Sequence, residues 1–215
     1  MNLAAHVGDK PGLVQENRRI LIKGLGLPSQ PAWLDQQHGC NVVCADDVSG
    51  DGLLPASADA AFSRQPGPVC AVMTADCLPV LICDADGTRV AAVHAGWRGL
   101  TAGVLKATVL NMGVAPEALM AWIGPAIGVA RYEVGEDVRT AARQASADAE
   151  RFLSAGRVPG KYLFDLAGLA RHELVGLGLS AVTGGETCCA SDRRFYSYRR
   201  DGVTGRMATL AWLAG

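Results

Sequence analysis

The chain is predicted to fold as one α+β domain with mixed sheets over residues 1–215, on three observations. Its 215 residues, 49% of them hydrophobic, suffice for a full core. Short β-rich apolar runs and amphipathic helical stretches follow one another without a regular βαβ alternation. No internal repeat marks a solenoid or propeller.

The elements follow in order. Residues 13–25 read as a helix with Glu16, Asn17, Arg18 and Arg19 outward, closed by Gly26 and Pro28. Ala32-Trp33-Leu34 reads as a strand leading to His38, and residues 45–57, rich in Asp and Gly, as a loop. Residues 69–74 and 78–83 are short apolar strands, and Asp84-Ala85-Asp86-Gly87-Thr88 is a turn joining the second to residues 89–94. That pattern predicts a hairpin. Centring its turn near Asp86 sets Cys77 or Leu78 opposite His94 to within about two residues of register. Cys77 and His94 are then expected close in space, although a one-residue slip would send one of them to the other face. Residues 101–111, 135–148 and 163–174 have helical patterning, residues 120–123 form a buried strand ended by Gly124-Pro125, and residues 207–213 form the last strand.

Composition narrows the function classes. A net charge of -1 without a long Lys/Arg run lacks the footprint of non-specific nucleic-acid binding, so no nucleic-acid polymer is expected as a partner. One or two arginines can still hold a small anion such as phosphate. The seven cysteines are an odd number in a chain too large to need disulfide staples, which suits a reducing cytoplasm. The first residues lack a signal-peptide pattern, and the longest apolar stretch, 69–83, is interrupted by Thr74, Asp76 and Pro79 and is too short to span a bilayer. A soluble, cytoplasmic protein without membrane contact is expected.

The most informative stretch is His94-Ala95-Gly96-Trp97-Arg98-Gly99, which sets a histidine, an arginine and a tryptophan among small residues where an apolar strand ends. Asp76-Cys77 and His38 are candidates for the same site. His38, Cys77 and His94 supply three N/S donors without an obvious fourth, the ligand number of a catalytic zinc with one position open. Simpler readings stand beside this one. His38 also suits a hydrogen-bonded loop histidine, Cys77 a small buried hydrophobe, and Arg98 a structural ion-pair partner. Asp76 would be costly at its apolar break unless paired. Trp97 offers a flat surface for a ring, and the helix after Gly99 points its positive end at the same turn. Cys40, Cys44, Cys70 and Cys83 read as packing residues and Cys188-Cys189 as two free thiols. His6 and His172 have no ligand-type neighbours in sequence, and residues 195–202 read as a strand entering a turn.

QQHG at 36–39, TADCLPV at 74–80, HAGWRG at 94–99, WIGPAIG at 122–128 and FYSYRRDGVTGRMA at 195–208 together resemble the zinc-dependent purine nucleoside phosphorylase family. That family was formerly called multicopper polyphenol oxidase or laccase-like, and it includes a bacterial peptidoglycan editing factor. The resemblance implies a layered αββα sandwich and one zinc on His38, Cys77 and His94. It further implies purine nucleosides and phosphate as small-molecule partners, with phosphorolysis of adenosine, inosine, guanosine and methylthioadenosine and deamination of adenosine. Relatives carry residues ahead of the position of Met1, so a strand and part of the pocket wall are expected to be missing. Cys189 stands where the family usually has threonine, a departure that bears on substrate preference.

Roles follow from this set. Asp76 is the candidate proton shuttle for deamination, and Arg98 with the following helix start is the candidate phosphate site. Three other classes use the same residues. A copper oxidase needs more histidines than the four present. A cysteine hydrolase with Cys77 as nucleophile and His94 as base would suit removal of serine from a muramyl precursor. A non-catalytic protein would bind a nucleoside without turnover.

Overall fold

A computed structural model describes residues 1–47 and 55–215. Helix α1 (Pro11–Leu25) starts on Pro11, two residues earlier than predicted, because proline is pre-set for a first helical position. It ends where Gly26 turns left-handed at φ 59°. Strands β1 (Pro31–Ala32), β2 (Leu34–Asp35), β3 (Val42–Cys44), β4 (Ala56–Ser57) and β5 (Ala60–Ser63) are short. The longer β6 (Val69–Thr74), β7 (Leu78–Asp84) and β8 (Val90–Ala95) follow, then helices α2 (Trp97–Thr101) and α3 (Val104–Met112) and strand β9 (Leu119–Ile123). The rest of the chain holds β10 (Glu133–Val134), α4 (Glu136–Ala145), β11 (Leu153–Ala155), β12 (Tyr162–Phe164), α5 (Leu166–Gly176), β13 (Ala181–Gly184), α6 (Tyr198–Asp201) and β14 (Met207–Ala211).

Six strands form a mixed central sheet in the order β13-β9-β7-β8-β5-β3, and β1-β6-β14 form a second sheet. Strand β8 shows how the layers stack, because its six residues are all buried and divide by parity. Ala91, Val93 and Ala95 join a core with Leu105, Val109, Phe164 and Leu169 of the helical side, whereas Val90 and Ala92 join a second core with Cys70, Val72 and Ala211 of the other sheet. Period-two alternation with apolar residues on both faces is what a strand sandwiched between layers requires. The helices of one side, two sheets and α1 make the expected layered α+β sandwich. Leu78 is fully buried in the first core, where truncation to alanine costs about 2–5 kcal/mol. Among the described residues, no helix is long and apolar enough to cross a membrane.

The hairpin forms at the predicted turn, with Pro79 opposite His94 and Leu78 opposite Ala95. Asp84 closes it by accepting from the backbone N–H groups of Thr88 (2.7 Å) and Arg89 (2.8 Å). Several local expectations are corrected. The helix expected over 101–111 is two helices, because Gly103 adopts φ 88° between them, and the one beside HAGWRG has only five residues. The helix start at that turn is therefore far weaker as a dipole than a full helix would be. The helix expected from 163 begins at Leu166, because Asp165 caps it through Gly168 N and leaves Tyr162–Phe164 as a strand. The helix expected over 135–148 stops at Ala145. Residues 195–202 turn into α6 rather than a strand, since the Ser197 side chain caps the amide of Arg200. Ala32-Trp33-Leu34 splits between two sheets, and the expected loop over 45–57 contains a 3-10 turn at Ala45–Asp47 and β4, with residues 48–54 outside the described set.

Candidate metal centre

The two antiparallel pairings of β8 bring the site together. Ala60 lies opposite Val93, which continues the ladder to Asp59 opposite His94. Pro79 opposite His94 likewise continues to Cys77 opposite Gly96. His94 and Cys77 thus share one sheet face as diagonal neighbours at the strand ends. His38 arrives from the loop after β2, held in the left-handed region at φ 60°. One ligand atom from each of His38, Cys77 and His94 lies within 4.8 Å of the others. The two imidazoles meet edge to face with centroids 4.7 Å apart.

Asp59 organises this cluster and was not singled out in the sequence. Its carboxylate takes His94 Nδ1 at 2.8 Å and the backbone N–H groups of His38 (2.9 Å), Gly39 (2.7 Å) and Gln37 (3.2 Å). A buried carboxylate accepting from Nδ1 fixes the tautomer and aims Nε2 at Cys77 and His38. The same carboxylate compensates the strained backbone of His38 with hydrogen bonds. Burial works against the Asp59 anion, but these hydrogen bonds prevail and hold its pKa below the ordinary value.

Glycine placement explains the HAGWRG motif. A Cβ on Gly96 would stand 2.9 Å from His38 Cδ2 and 3.0 Å from Cys77 Sγ, and one on Gly99 would stand 2.9 Å from the Gly39 carbonyl oxygen. The first glycine leaves room for the ligand cluster, and the second lets the two loops touch through backbone.

The donor set fits a single metal ion. Cys77 Sγ and His38 Nε2 are 3.7 Å apart, against about 3.5 Å for sulfur and nitrogen on a tetrahedral zinc. Burial pushes the Cys77 thiol up, yet the adjacent His94 and the hydrogen bonds to both imidazoles outweigh it, so the thiolate is favoured. Burial pulls His94 down, while the Cys77 sulfur and Asp59 carboxylate raise it further. Such a thiolate with two orientable imidazoles is a ready ligand set for a soft or borderline cation.

The other sequence candidates surround this cluster. Asp76 sits in the left-handed region at φ 93°, and its carboxylate takes Ser197 Oγ (2.7 Å), Arg199 N (2.6 Å) and Cys189 Sγ (3.1 Å). Its burial is thus compensated, as the sequence required. Ser197 and Arg199 belong to the segment read as an ordinary strand, and only their charge and hydroxyl marked them. Trp97 is partly buried against the first core. Arg98 is exposed and lies over the Trp97 ring, its Cζ 4.2 Å from the centroid, so one face of that indole is already covered. Among the described residues, Arg98 has no carboxylate partner. His172 pairs with Asp148 at 3.1 Å, outside the cluster.

Known proteins resemble this chain over nearly its whole length. It is 49% identical to the purine nucleoside phosphorylase YfiH of Shigella flexneri over 215 residues, covering 99% of this chain and 86% of that one. It is 51% identical to the purine nucleoside phosphorylase PA4543 of Pseudomonas aeruginosa over 214 residues, with the same coverage. The crystal structure of NMB0706 from Neisseria meningitidis superposes with a TM-score of 0.93 at 48% identity, covering 100% of this chain and 86% of that one. YlmD from Geobacillus stearothermophilus gives 0.90 at 28% identity, covering 100% and 85%. With residues 1–214 matched, the chain belongs to the family described as multi-copper polyphenol oxidoreductase laccase.

Proposed function

We propose that this protein is a zinc-dependent purine nucleoside phosphorylase. The observation that carries the reading is the convergence of His38, Cys77 and His94 on one ion-sized space, in a chain about half identical to proteins named for that activity. A zinc ion on three protein ligands keeps an open position and supplies Lewis-acid chemistry there. His94 would be held by Asp59 with Nε2 as its ligand atom, and the thiolate of Cys77 would complete the set with His38. Arg98, exposed and without a carboxylate partner among the described residues, is the candidate to hold phosphate. Trp97 keeps it in place by stacking, and its remaining face is the candidate surface for a base.

Inosine, adenosine, guanosine and methylthioadenosine are the proposed nucleosides, and adenosine deamination is the second proposed activity of the same site. Between the two roles open to Asp76, its three donors favour positioning over proton transfer. A carboxylate engaged by Ser197, Arg199 and Cys189 ties the 189–199 segment to the metal-ligand turn and has little capacity left for a proton shuttle.

The lowered thiol of Cys77 beside His94 also suits a cysteine hydrolase acting on an amide of a peptidoglycan precursor. Copper oxidation is disfavoured, because among the described residues the donor cluster has three members and serves one ion. One experiment separates these readings: metal content and inosine turnover, with and without phosphate, on the same preparation. One zinc per chain and hypoxanthine formed only with phosphate are expected. A metal-free chain that leaves inosine intact but releases serine from a muramyl precursor would transfer the site to the hydrolase, and nucleoside binding without turnover would transfer it to a nucleoside-binding protein.

A further inference from the structure

Gln36, the first residue of the QQHG motif, joins the loops that carry His38 and Cys77 through its side chain. Strand β1 pairs with β6 in parallel over Pro31 and Ala32, opposite Val69 and Cys70. The chain then leaves that sheet: Trp33 N donates to the Pro31 carbonyl at 2.8 Å, and Leu34 and Asp35 pair with β4 instead. Further along β6, Gln36 returns to it. The backbone N–H of Met73 donates to Gln36 Oε1 at 2.8 Å, and the Met73 carbonyl accepts from Gln36 Nε2 at 2.9 Å. A primary amide carries the donor and acceptor of a peptide unit, so the side chain stands in for the strand that has turned away. The residue type follows. A carboxylate would only accept, lysine and arginine would only donate, and asparagine is one methylene shorter.

This bonded pair sits at the base of two strained turns. His38, two residues after Gln36, and Asp76, three residues after Met73, are the non-glycine residues of positive φ among those described, at 60° and 93°. Such backbone persists where the surroundings hold it. Asp59 holds the first turn against His94, because its carboxylate takes His94 Nδ1 together with the amides of Gln37, His38 and Gly39. Cys77 belongs to the second turn. Between residues 33–40 and 69–77, the hydrogen bonds among the described residues are the two of Gln36 and the contact of Cys77 Sγ with His38 Nε2 at 3.7 Å. The clamp on Met73 is therefore what sets one ligand loop against the other.

We propose that Gln36 is a positioning residue of the metal centre, which holds His38 at the distance from Cys77 that one ion requires. This role rests on reading His38, Cys77 and His94 as ligands of a single ion, and it is independent of phosphorolysis.

The test is zinc affinity of the full chain, measured by competition with a chromophoric chelator, together with the absorption of the cobalt(II) form. Gln36→Met keeps the length of the side chain and loses both bonds. It is expected to bind zinc about tenfold more weakly or worse, the scale of other losses of ligand support. With cobalt, the thiolate charge-transfer band of Cys77 should persist while the visible bands of a tetrahedral ion weaken, as water takes the place of His38. A double-mutant cycle separates positioning from folding. In a His38→Ala background Gln36→Met should cost no further affinity, whereas a residue that only supports the fold would cost the same in both. Val109→Ala, in the core on the helical side, is the control: it should lower the Tm of the metal-free chain and keep wild-type zinc affinity. Should Gln36→Met fail to fold, Gln36→Asn carries the test, since it retains the amide out of reach of Met73.

Wild-type affinity in the folded Gln36 variant, or equal losses in both backgrounds, overturns the proposal and leaves the metal centre standing. A wild-type chain that takes up neither zinc nor cobalt ends the metal reading and this role with it. The expected losses in a chain without phosphorolysis would keep Gln36 in its role and end the phosphorylase reading.

Discussion

Asp59 Oδ1 accepts from His94 Nδ1 at 2.8 Å, and both groups are almost wholly buried. The same carboxylate holds the backbone of His38 and Gly39, so one side chain orients two of the three candidate metal ligands. Supporting carboxylates of this kind change metal affinity by roughly 10–100-fold when removed. Asp59→Ala is therefore expected to lower affinity by that factor, measured by competition with a chromophoric chelator. Asp59→Asn should fall between, because an amide can keep one of the loop contacts but not the charge. Wild-type affinity in Asp59→Ala would show that the ligands are positioned without it.

Gly96→Ala tests the cluster by volume alone. The backbone at Gly96, φ -66° and ψ 165°, accepts any residue, so the substitution adds no backbone strain. The new methyl group would stand within 3.0 Å of Cys77 Sγ and His38 Cδ2. Metal content should drop by roughly tenfold or more, on the scale of other losses of ligand support, while the far-ultraviolet circular dichroism remains that of wild type. A variant that retains full metal would mean that the three side chains do not share one ion.

The proximity of Cys77 and His94 was legible because both sit in a sequence context that limits their geometry. The Asp84–Thr88 turn sets the register of β7 on β8, and register alone brings Cys77 near His94. Asp59 lacked such a signal. It lies in Ser57-Ala58-Asp59-Ala60-Ala61, where a polar residue ahead of a strand looks like an ordinary loop end, and its partner strand β8 is reached only through non-local pairing. The break between α2 and α3 was visible in principle as Ala102-Gly103, but helical spacing on either side masked it. Local pattern carries elements and turns, and what pairs across distant strands must come from the fold.

Glu173 provides a stability test away from the site. It forms no ion pair among the described residues, and burial pushes its carboxyl up to about 7 from the ordinary 4.5. A folded pKa above the unfolded one means that the native state binds the extra proton between those values. This contribution to stability is complete below about pH 4.5 and is lost as pH rises through about 7. Glu173→Gln should therefore melt higher than wild type at pH 8, by roughly 2–4 °C for each kcal/mol recovered in a chain of this size. At pH 5 the difference should vanish. A difference independent of pH would mean that Glu173 is ionised in the folded protein and reaches water.

Kinetics tests the claim of Arg98 on the anion. If Arg98 holds phosphate in the proposed phosphorolysis, Arg98→Ala should raise the phosphate KM by about one to two orders of magnitude, the loss of a charge-assisted contact, with the nucleoside KM nearly unchanged. Metal content should stay at the wild-type level, because Arg98 stacks on Trp97 and is not a member of the His38, Cys77 and His94 cluster. An equal rise in both KM values would instead point to a displaced Trp97, since the indole loses its covering guanidinium in that variant. An unchanged phosphate KM would remove Arg98 from the anion site.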